Sequence, residues 1–379
     1  MAIASLADVA RLEAIPVEER LKARSVYEAL AAAAERAPDK TAIIGLQSTD
    51  EAAPVRRITY AALLRRITQT ANLLTTLGIG PEDVVTTLLP TIPEAFFGLW
   101  GAETAAIGNP VNWFLEPKQI AGIMREAGTK AVIACDSSIV PDIWNKVEQI
   151  RQLLPHLKVI RVGSTEPPPP GVIDFDAAAD AEPGDRLRAE RRIDWRTVAA
   201  LFHTGGTTGL PKLAKHTHGG QIVQSWTNSV TTADAADDVF FNGLPQFHVG
   251  GAMCAGLAPL CAGQQIVLLT PLGLRNPNVV RDHWQLVERF RPTVIGGVPT
   301  SLAALLNLPR EGFDLSSVKF VLTGGSAVPI EIARRFEREL GIKVVEGYGM
   351  TEVHGYSSMN PAGGECRVGS VGFPVPYME

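Results

Sequence analysis

The sequence has few cysteines, which argues against a protein held together by disulfides or zinc. Its 379 residues include four cysteines and no CxxC pair, too few and too scattered for a disulfide framework or a zinc motif. We therefore expect a reducing, cytoplasmic setting. Cys254 and Cys261 lie seven residues apart in an apolar stretch, where we predict small buried residues on one helix face rather than a reactive pair.

Charge of one sign and long apolar runs are also scarce. Because 35 Lys and Arg residues stand against 40 Asp and Glu residues, the electrostatic footprint of a nucleic-acid-binding protein is missing, and we expect no such partner. The most apolar segment, 250–263, is interrupted by Gly and Pro and falls short of the ~20 residues that cross a bilayer. We predict a buried helix there and no transmembrane segment. The N-terminal segment, 1–21, shows no secretory signal.

What the sequence has is a regular alternation of short β-branched runs with longer helical stretches, which is typical of an α/β protein. We predict two α/β lobes, 1–192 and 193–379, with mainly parallel sheets covered by helices. The segment 165–192 contains four consecutive prolines and is predicted to be a surface connection without core elements. The predicted strands are 42–46, 84–89, 131–134, 159–162, 198–203, 265–269, 293–295, 319–322, 343–345 and 370–379; the predicted helices are 60–77, 93–105, 117–126, 141–154, 279–290, 300–306 and 330–340.

A run of glycines and threonines follows the predicted strand 198–203. Glycines let backbone N–H groups turn toward an anion, hydroxyls donate further hydrogen bonds, and lysine supplies the countercharge. Leu and Pro follow the last glycine instead of Lys and Ser or Thr, so this is not a Walker A loop. We interpret the run as a phosphate-binding loop; the alternative is a solvent-exposed turn. Its residues are Thr204, Gly205, Gly206, Thr207, Thr208, Gly209, Leu210, Pro211 and Lys212.

This loop resembles the phosphate-binding signature of the adenylate-forming superfamily, which includes acyl-CoA synthetases, peptide-synthetase adenylation domains and beetle luciferases. Three further segments follow in that family's order. Residues 245–251, Pro-Gln-Phe-His-Val-Gly-Gly, resemble its acyl-site segment, and residues 324–327, Gly-Gly-Ser-Ala, its adenine-flanking turn. Residues 346–352, Glu-Gly-Tyr-Gly-Met-Thr-Glu, resemble its Gly-Tyr-Gly-x-Thr-Glu motif. The resemblance covers most of the chain and implies the N-terminal domain of a fatty-acyl-CoA synthetase-like protein.

The resemblance also implies a role for each site residue. Thr351 is expected to contact the α-phosphate of ATP and Glu352 to bind Mg²⁺, since a carboxylate is the hard oxygen ligand this ion prefers; the alternative for Glu352 is a helix cap or a solvated side chain. The phosphate loop would hold the β- and γ-phosphates through Thr207, Thr208 and Lys212. The expected catalytic residues are Lys212, His248, Thr351 and Glu352. The expected nucleotide-binding residues are Thr204, Gly205, Gly206, Thr207, Thr208, Gly209 and Lys212, then Gly324, Gly325, Ser326 and Ala327, then Glu346, Gly347, Tyr348, Gly349, Met350 and Thr351, with Tyr348 stacked on adenine.

Histidines raise two further questions. The resemblance places His248 beside the acyl carboxylate, where amino-acid-activating members of the superfamily have an Asp for the substrate ammonium. We therefore expect an unsubstituted fatty or aryl acid, while a core histidine remains the alternative. The apolar segments 249–260 and 295–305 would serve equally as an acyl pocket or as plain core. His216 and His218 are predicted on one side of a strand, with no Cys or carboxylate nearby to complete a zinc site.

The implied activity is ATP-dependent activation of a carboxylic acid to its acyl-AMP, followed by thioester formation with CoA. The implied partners are the acid, ATP with Mg²⁺, and CoA, and a homodimer remains open. The family's ribose-binding Asp, hinge and small C-terminal domain would lie beyond Glu379, so we expect the natural chain to continue and leave open whether residues 1–379 are active alone. Two alternatives remain: a non-catalytic module that binds ATP or acyl-AMP, and acyl transfer to a carrier protein instead of CoA.

Overall fold

The computed structural model describes residues 3–163, 166–205 and 211–378. Within these residues the strands form two large sheets, with helices packed between and around them. The strands are β1 (Thr41–Leu46), β2 (Val55–Thr59), β3 (Val84–Leu88), β4 (Ile107–Pro110), β5 (Thr129–Cys135), β6 (Lys158–Val162), β7 (Val172–Asp174), β8 (Val198–His203), β9 (Leu213–Thr217), β10 (Val239–Asn242), β11 (Gln265–Leu268), β12 (Val294–Gly297), β13 (Phe320–Thr323), β14 (Lys343–Met350), β15 (Gly355–Met359) and β16 (Phe373–Pro374).

The helices mostly connect consecutive strands, as the predicted α/β alternation requires. The π-helix Gly250–Leu257 runs into α10, the turn Phe336–Leu340 extends α14, and short 3₁₀ turns occupy Gly273–Arg275 and Thr351–Val353. The α-helices are α1 (Leu6–Glu13), α2 (Val17–Arg20), α3 (Val26–Arg36), α4 (Tyr60–Thr76), α5 (Pro93–Ala105), α6 (Pro117–Ala127), α7 (Pro141–Leu153), α8 (Phe175–Asp180), α9 (His218–Thr232), α10 (Ala258–Cys261), α11 (Pro277–Arg281), α12 (His283–Phe290), α13 (Pro299–Leu306) and α14 (Ile330–Arg335).

The larger sheet has nine strands in the order β16-β15-β14-β13-β12-β10-β11-β1-β2. Its central strands, from β14 to β1, pair in parallel, while β2, β15 and β16 add antiparallel edges. The smaller sheet has seven strands in the order β7-β6-β5-β3-β4-β8-β9, all parallel except the β8–β9 hairpin. The predicted fold class, α/β with mainly parallel sheets covered by helices, is confirmed.

The sheets do not follow the predicted division of the chain at residue 192. Strands β1 and β2 precede that point but belong to the nine-stranded sheet, and β8 and β9 follow it but belong to the seven-stranded sheet. Pairing with a distant strand leaves no local signal in the sequence, because the hydrophobic pattern of β1 is the same whichever sheet it joins. The exchange places β8 and β9, which flank the predicted phosphate loop, beside elements of the other half of the chain.

Helix α5 lies in the interior and is buried over its whole length from Pro93 to Thr104. Pro93 stands at its first turn, where a missing N–H has no cost. Gly101 permits close approach to α4, since a Cβ there would lie 2.6 Å from the side chain of Thr70. Phe96 and Trp100 stack with ring centroids 4.6 Å apart and belong to a core that includes residues of both sheets. The helix therefore joins the two halves through apolar packing.

The segment 166–192 corrects a prediction. It is not free of core elements: Val172–Asp174 pairs in parallel with β6, and α8 follows it directly. Phe175 is fully buried, and the guanidinium carbon of Arg66 lies 5.9 Å from the centroid of its ring. The four prolines end two residues before β7, and their presence favoured a surface connection over the short apolar pattern that follows.

Most other predicted elements are confirmed with shifts of one or a few residues, and some need correction. Of the predicted strand 370–379, only Phe373–Pro374 forms a strand, β16. The predicted helix 279–290 is two helices, α11 and α12, separated by Asp282. His218 begins α9 instead of sharing a strand with His216. The predicted buried helix at 250–263 is confirmed as the π-helix and α10. Among the described residues no helix is both long and apolar enough to span a membrane.

Candidate functional site

The β8–β9 hairpin frames the predicted phosphate loop. The backbone N–H of Thr204 donates to the carbonyl oxygen of Lys212 at 2.8 Å, and His203 pairs with Leu213 across the hairpin. Thr204 and Lys212 therefore face each other at the base of the loop, and the Lys212 side chain is exposed. A Cβ on Gly205 would meet no atom of the described residues within 4 Å. The predicted loop residues Gly206, Thr207, Thr208, Gly209 and Leu210 lie outside the described residues.

The predicted adenine-flanking turn and the Gly-Tyr-Gly-x-Thr-Glu motif follow neighbouring parallel strands. Thr323 at the end of β13 pairs with Glu346 on β14, so the turn 324–327 lies beside the motif. A Cβ on Gly324 would lie 2.7 Å from the carbonyl oxygen of Gly347, a contact that only glycine allows. Gly325 has φ 82°, in the left-handed region. The carboxyl ends of parallel strands are where open α/β sheets place their ligands.

The side chain of Glu346 supports this turn from inside the protein. Its side chain is buried, and its Oε1 accepts a hydrogen bond from the backbone N–H of Val328 at 3.0 Å. The carboxylate therefore holds the far end of the turn that contains Ser326 and Ala327, rather than pointing outward to a ligand. Sequence reasoning assigned Glu346 to nucleotide binding without this distinction.

Two other side chains of the motif are exposed to solvent, unlike the buried Glu346. Tyr348 is 51% exposed and Met350 41% exposed, and they alternate with Gly349 along β14 on one face of the strand. An exposed tyrosine beside a glycine turn can stack on a planar base. Behind the motif lies Tyr356, which sequence reasoning missed: a Cβ on Gly347 would lie 2.5 Å from its Cδ1. Burial raises the pKa of Tyr356 well above its usual value.

The hairpin and the motif belong to different sheets, yet they meet. His216 on β9 lies with its Nε2 2.7 Å from the carbonyl oxygen of Thr351, in the 3₁₀ turn Thr351–Val353. The next motif residue, Glu352, is exposed. This contact joins positions 135 residues apart and brings the end of the motif to β9, the strand that begins directly after Lys212. The two segments with the predicted phosphate and metal residues therefore lie side by side.

His248 occupies the same region. Its neighbour Phe247 stacks on the ring of His203, the residue that precedes Thr204, with centroids 6.3 Å apart. Burial lowers the pKa of His203, and His248 contributes in the same direction. The Nδ1 of His248 accepts a hydrogen bond from the backbone N–H of Gly250 at 3.0 Å. Because Nδ1 accepts, a neutral His248 carries its proton on Nε2, where it can be donated to a carboxylate.

A small recess lined partly by aromatic rings lies beside Phe247, and no motif in the sequence indicated it. Phe114 lies edge-on to Phe247 with ring centroids 6.1 Å apart, and the Arg275 guanidinium carbon lies 4.1 Å from the Phe114 ring centroid. Trp113 and Leu272 complete much of the lining. The predicted pocket segment 249–260 is buried in the core next to this region. Its contribution to an acyl pocket stays a prediction.

The site suits a magnesium ion that is shared with substrate phosphates. Among residues 3–163, 166–205 and 211–378, no group of three or more His, Cys, Asp or Glu side chains is placed to hold a metal alone. Mg²⁺ in phosphate chemistry usually has one or two protein carboxylates, with phosphate oxygens and water as the other ligands. Glu352 is an exposed carboxylate at the end of the motif, and no ion pair engages it within the described part of the chain. It therefore fits that requirement.

Comparison with known proteins identifies the class. The model of the AMP-binding enzyme family matches residues 30–379, so the chain belongs to that family and corresponds to the N-terminal domain region of its acyl-CoA ligases. The marinolic acid–CoA ligase of Pseudoalteromonas sp. (strain SANK 73390) is 32% identical over 99% of this chain and 58% of its own length. The long-chain-fatty-acid–CoA ligase of Thermus thermophilus is 33% identical over 79% of this chain and 52% of its own length.

Solved structures agree on the fold. An anthranilate CoA ligase, AuaEII, in complex with anthranoyl-AMP matches with a TM-score of 0.84 at 24% identity over 94% of this chain and 66% of that one. The inhibitor-bound N-terminal domain of FACL13 from Mycobacterium tuberculosis matches with a TM-score of 0.77 at 24% identity over 93% of this chain and 83% of that one. The chain thus spans about three fifths of the length of the curated relatives it matches.

Proposed function

We propose that the protein activates a carboxylic acid with ATP to form an acyl-AMP and pyrophosphate, and that the natural protein then transfers the acyl group to CoA. The observation that carries the proposal is the contact between His216 and Thr351, which joins the phosphate-loop hairpin to the Gly-Tyr-Gly-Met-Thr-Glu motif. Two segments from different sheets that meet here carry a lysine, a threonine and a carboxylate, the groups that phosphate chemistry needs.

In this proposal each residue has a limited task. Thr207, Thr208 and Lys212 of the phosphate loop bind the β- and γ-phosphates. Tyr348 stacks on adenine, and Thr351 contacts the α-phosphate. A carboxylate oxygen of the acid attacks the α-phosphorus as its bond to pyrophosphate breaks. Mg²⁺, bound through Glu352, would neutralise charge on the phosphates. Catalysis then consists mainly of alignment and electrostatic stabilisation.

We further propose that the acid is a fatty or aryl acid and that His248 orients it. The Nε2–H of a neutral His248 can donate to the acid carboxylate, and no fixed carboxylate stands at this position to hold a substrate ammonium. Relatives named as marinolic acid–CoA, long-chain-fatty-acid–CoA and feruloyl-CoA enzymes support a hydrophobic acid.

Calorimetric titration with Mg·ATP tests the nucleotide site. We expect saturable binding to residues 1–379. Lys212→Ala and Glu352→Ala should each weaken it about 10-fold or more, because the first removes a positive charge that would bind the phosphates and the second a carboxylate that would bind the metal. Lys215→Ala is the matched control, since Lys215 is an exposed lysine on the same hairpin. Equal weakening by Lys215→Ala would mean a general charge effect and would contradict the assigned site.

ATP–pyrophosphate exchange in the natural full-length protein tests the reaction. Myristate and benzoate serve as the fatty and aryl probes. We expect exchange that depends on one of these acids and on Mg²⁺, and a CoA-dependent thioester as the final product. Nucleotide binding without exchange with either probe would favour a binding module, and exchange without CoA thioester would point to another acyl acceptor.

A further inference from the structure

His216 touches the turn that carries Thr351 and Glu352. Its fully buried ring lies between Phe202 and His354, with centroid distances of 4.5 and 4.0 Å, and its Nε2 lies 2.7 Å from the Thr351 carbonyl oxygen. We propose that His216 and His354 are positioning residues that hold Thr351 and Glu352 in the orientation needed for acyl-AMP formation. This inference rests on the proposed function and assigns the two histidines to it.

The tautomer of His216 follows from its contacts. A carbonyl oxygen only accepts hydrogen bonds, so Nε2 of His216 must carry the proton and donate it to Thr351. The opposite nitrogen, Nδ1, is buried and has no hydrogen-bond partner in the described structure. Burying an unpaired lone pair on Nδ1 costs less than burying an unpaired N–H there, so we expect Nδ1 to carry no proton. The ring is then neutral, and its one N–H donates to Thr351. His216 is thus a directed donor to the turn.

His354 holds the turn from its other end. Its backbone adopts a left-handed conformation, with φ 67°, which turns the chain sharply after Val353. Its Nε2 accepts a hydrogen bond from the backbone N–H of Thr217 at 3.3 Å. Gly220 leaves room for the ring, because a Cβ there would lie 2.5 Å from the same Nε2. The ring of His354 is therefore seated between β9 and the start of α9.

The His216–Thr351 and Thr217–His354 hydrogen bonds hold the two ends of the turn. Adjacent residues of β9, His216 and Thr217, bind the carbonyl of Thr351 and the side chain of His354, respectively. Thr351 and Glu352 lie between these anchors. Because the His216 ring is fully buried and the His354 ring packs against Gly220, we expect loss of either contact to disturb alignment of the reacting groups more than affinity for the nucleotide. Sequence reasoning considered His216 only as half of a zinc pair.

A matched pair of variants tests the proposal in the natural full-length protein. His216→Gln keeps an N–H donor near the position of Nε2, whereas His216→Asn places its N–H near the position of Nδ1, too short to reach the turn. We expect His216→Asn to lower the kcat of acyl-AMP formation about 10- to 100-fold with little change in the KM for ATP, and His216→Gln to restore most of that loss. ATP–pyrophosphate exchange with myristate and benzoate measures both parameters.

His354→Asn provides an independent variant, because asparagine tolerates the left-handed backbone but its short side chain cannot reach Thr217. It should lower kcat in the same direction, with thermal unfolding close to that of the wild type. If both Gln and Asn at position 216 keep wild-type kcat, or if all variants raise the KM for ATP and leave kcat unchanged, the positioning role is wrong and the proposed function stands. No exchange in the wild type would instead contradict the proposed function, and the positioning role with it.

The tautomer gives a readout that needs no substrate. The sequence has seven histidines, so long-range ¹H–¹⁵N spectra can resolve their ring nitrogens, and the His216 signals are those lost in His216→Gln. We expect a protonated Nε2 and an unprotonated Nδ1 for His216 at neutral pH. A proton on Nδ1 would remove the donor to Thr351 and overturn the proposal.

Discussion

Glu346 supports Val328 across two parallel strands: the Oε1 of the buried glutamate accepts the Val328 backbone N–H at 3.0 Å. Glu346 stands on β14 immediately before the Gly-Tyr-Gly segment, and Val328 ends the turn that follows β13. The bond ties the two segments that would enclose the adenine. Glu346 therefore shapes the site from the protein interior, through its hydrogen bond to the turn.

Replacement of Glu346 should separate support from contact. Glu346→Ala leaves the buried N–H of Val328 without a partner, so we expect a loss of about 1–3 kcal/mol in unfolding free energy and weaker Mg·ATP binding. Glu346→Gln retains an acceptor oxygen and should show a smaller loss of both. Chemical denaturation and calorimetry measure the two effects. The exposed Glu337→Gln serves as control, and an unchanged stability of Glu346→Ala would show that the bond is not needed.

Gly347 should not tolerate a side chain. A Cβ at this position would lie 2.5 Å from Cδ1 of Tyr356, so Gly347→Ala should destabilise the protein by about 1–3 kcal/mol through overpacking. Addition of Tyr356→Leu, which removes the ring, should recover part of the loss. Gly80→Ala is the matched control, since its Cβ would meet only Asp83 at an ordinary 3.6 Å. Thermal unfolding of the three single variants and the double variant decides; additive losses would mean that Tyr356 is not the obstacle.

Glu103 should make stability depend on pH. This fully buried carboxyl accepts a hydrogen bond from Gln221 at 3.0 Å, and burial raises its pKa to about 8. The folded protein therefore keeps the proton that the unfolded chain releases above the ordinary glutamate pKa of 4.5. Because the folded state then binds more protons, stability from this group is full below pH ~4.5 and falls as the pH rises toward ~8.

Glu103→Gln should remove that dependence while it preserves an acceptor for Gln221. We expect the variant to gain stability over the wild type as the pH rises from 5 to 8, by an amount on the order of 3 kcal/mol near pH 7. Urea denaturation at several pH values measures the difference. A constant difference across this range would show that the pKa of Glu103 is the same in the folded and unfolded states.

Tyr377 should secure the N-terminal helices. Its hydroxyl lies 2.9 Å from the Leu12 carbonyl oxygen and 2.7 Å from that of Ile15, and it accepts a hydrogen bond from Arg20 at 3.1 Å. Tyr377→Phe removes these bonds and should cost about 0.5–1.5 kcal/mol, expressed mainly as faster amide exchange in α1 and α2. Hydrogen exchange with mass spectrometry measures it. Tyr27→Phe, which loses one bond to Thr68 elsewhere, should leave exchange in α1 and α2 unchanged.

Local patterns in the sequence were enough for the fold class, for most strands and for the order of the motifs. Strands such as Val84–Leu88 are short apolar runs, and helices such as Pro93–Ala105 begin at prolines, so their signals lie within the elements themselves. The glycines of the motifs are likewise readable because their conformational role is local. The short strand β7 and helix α8 were missed, since their burial depends on packing against Arg66 and β6 rather than on their own pattern.

Only the tertiary structure decided which distant residues meet. The sequence contains His216 and Thr351 but nothing that couples them, because a hydrogen bond between residues 135 positions apart depends on how two sheets pack. The inward direction of Glu346, the support from Tyr356 and the exchange of strands between the halves have the same origin. The sequence by itself determined which chemical groups are available, and long-range packing determined which of them act together.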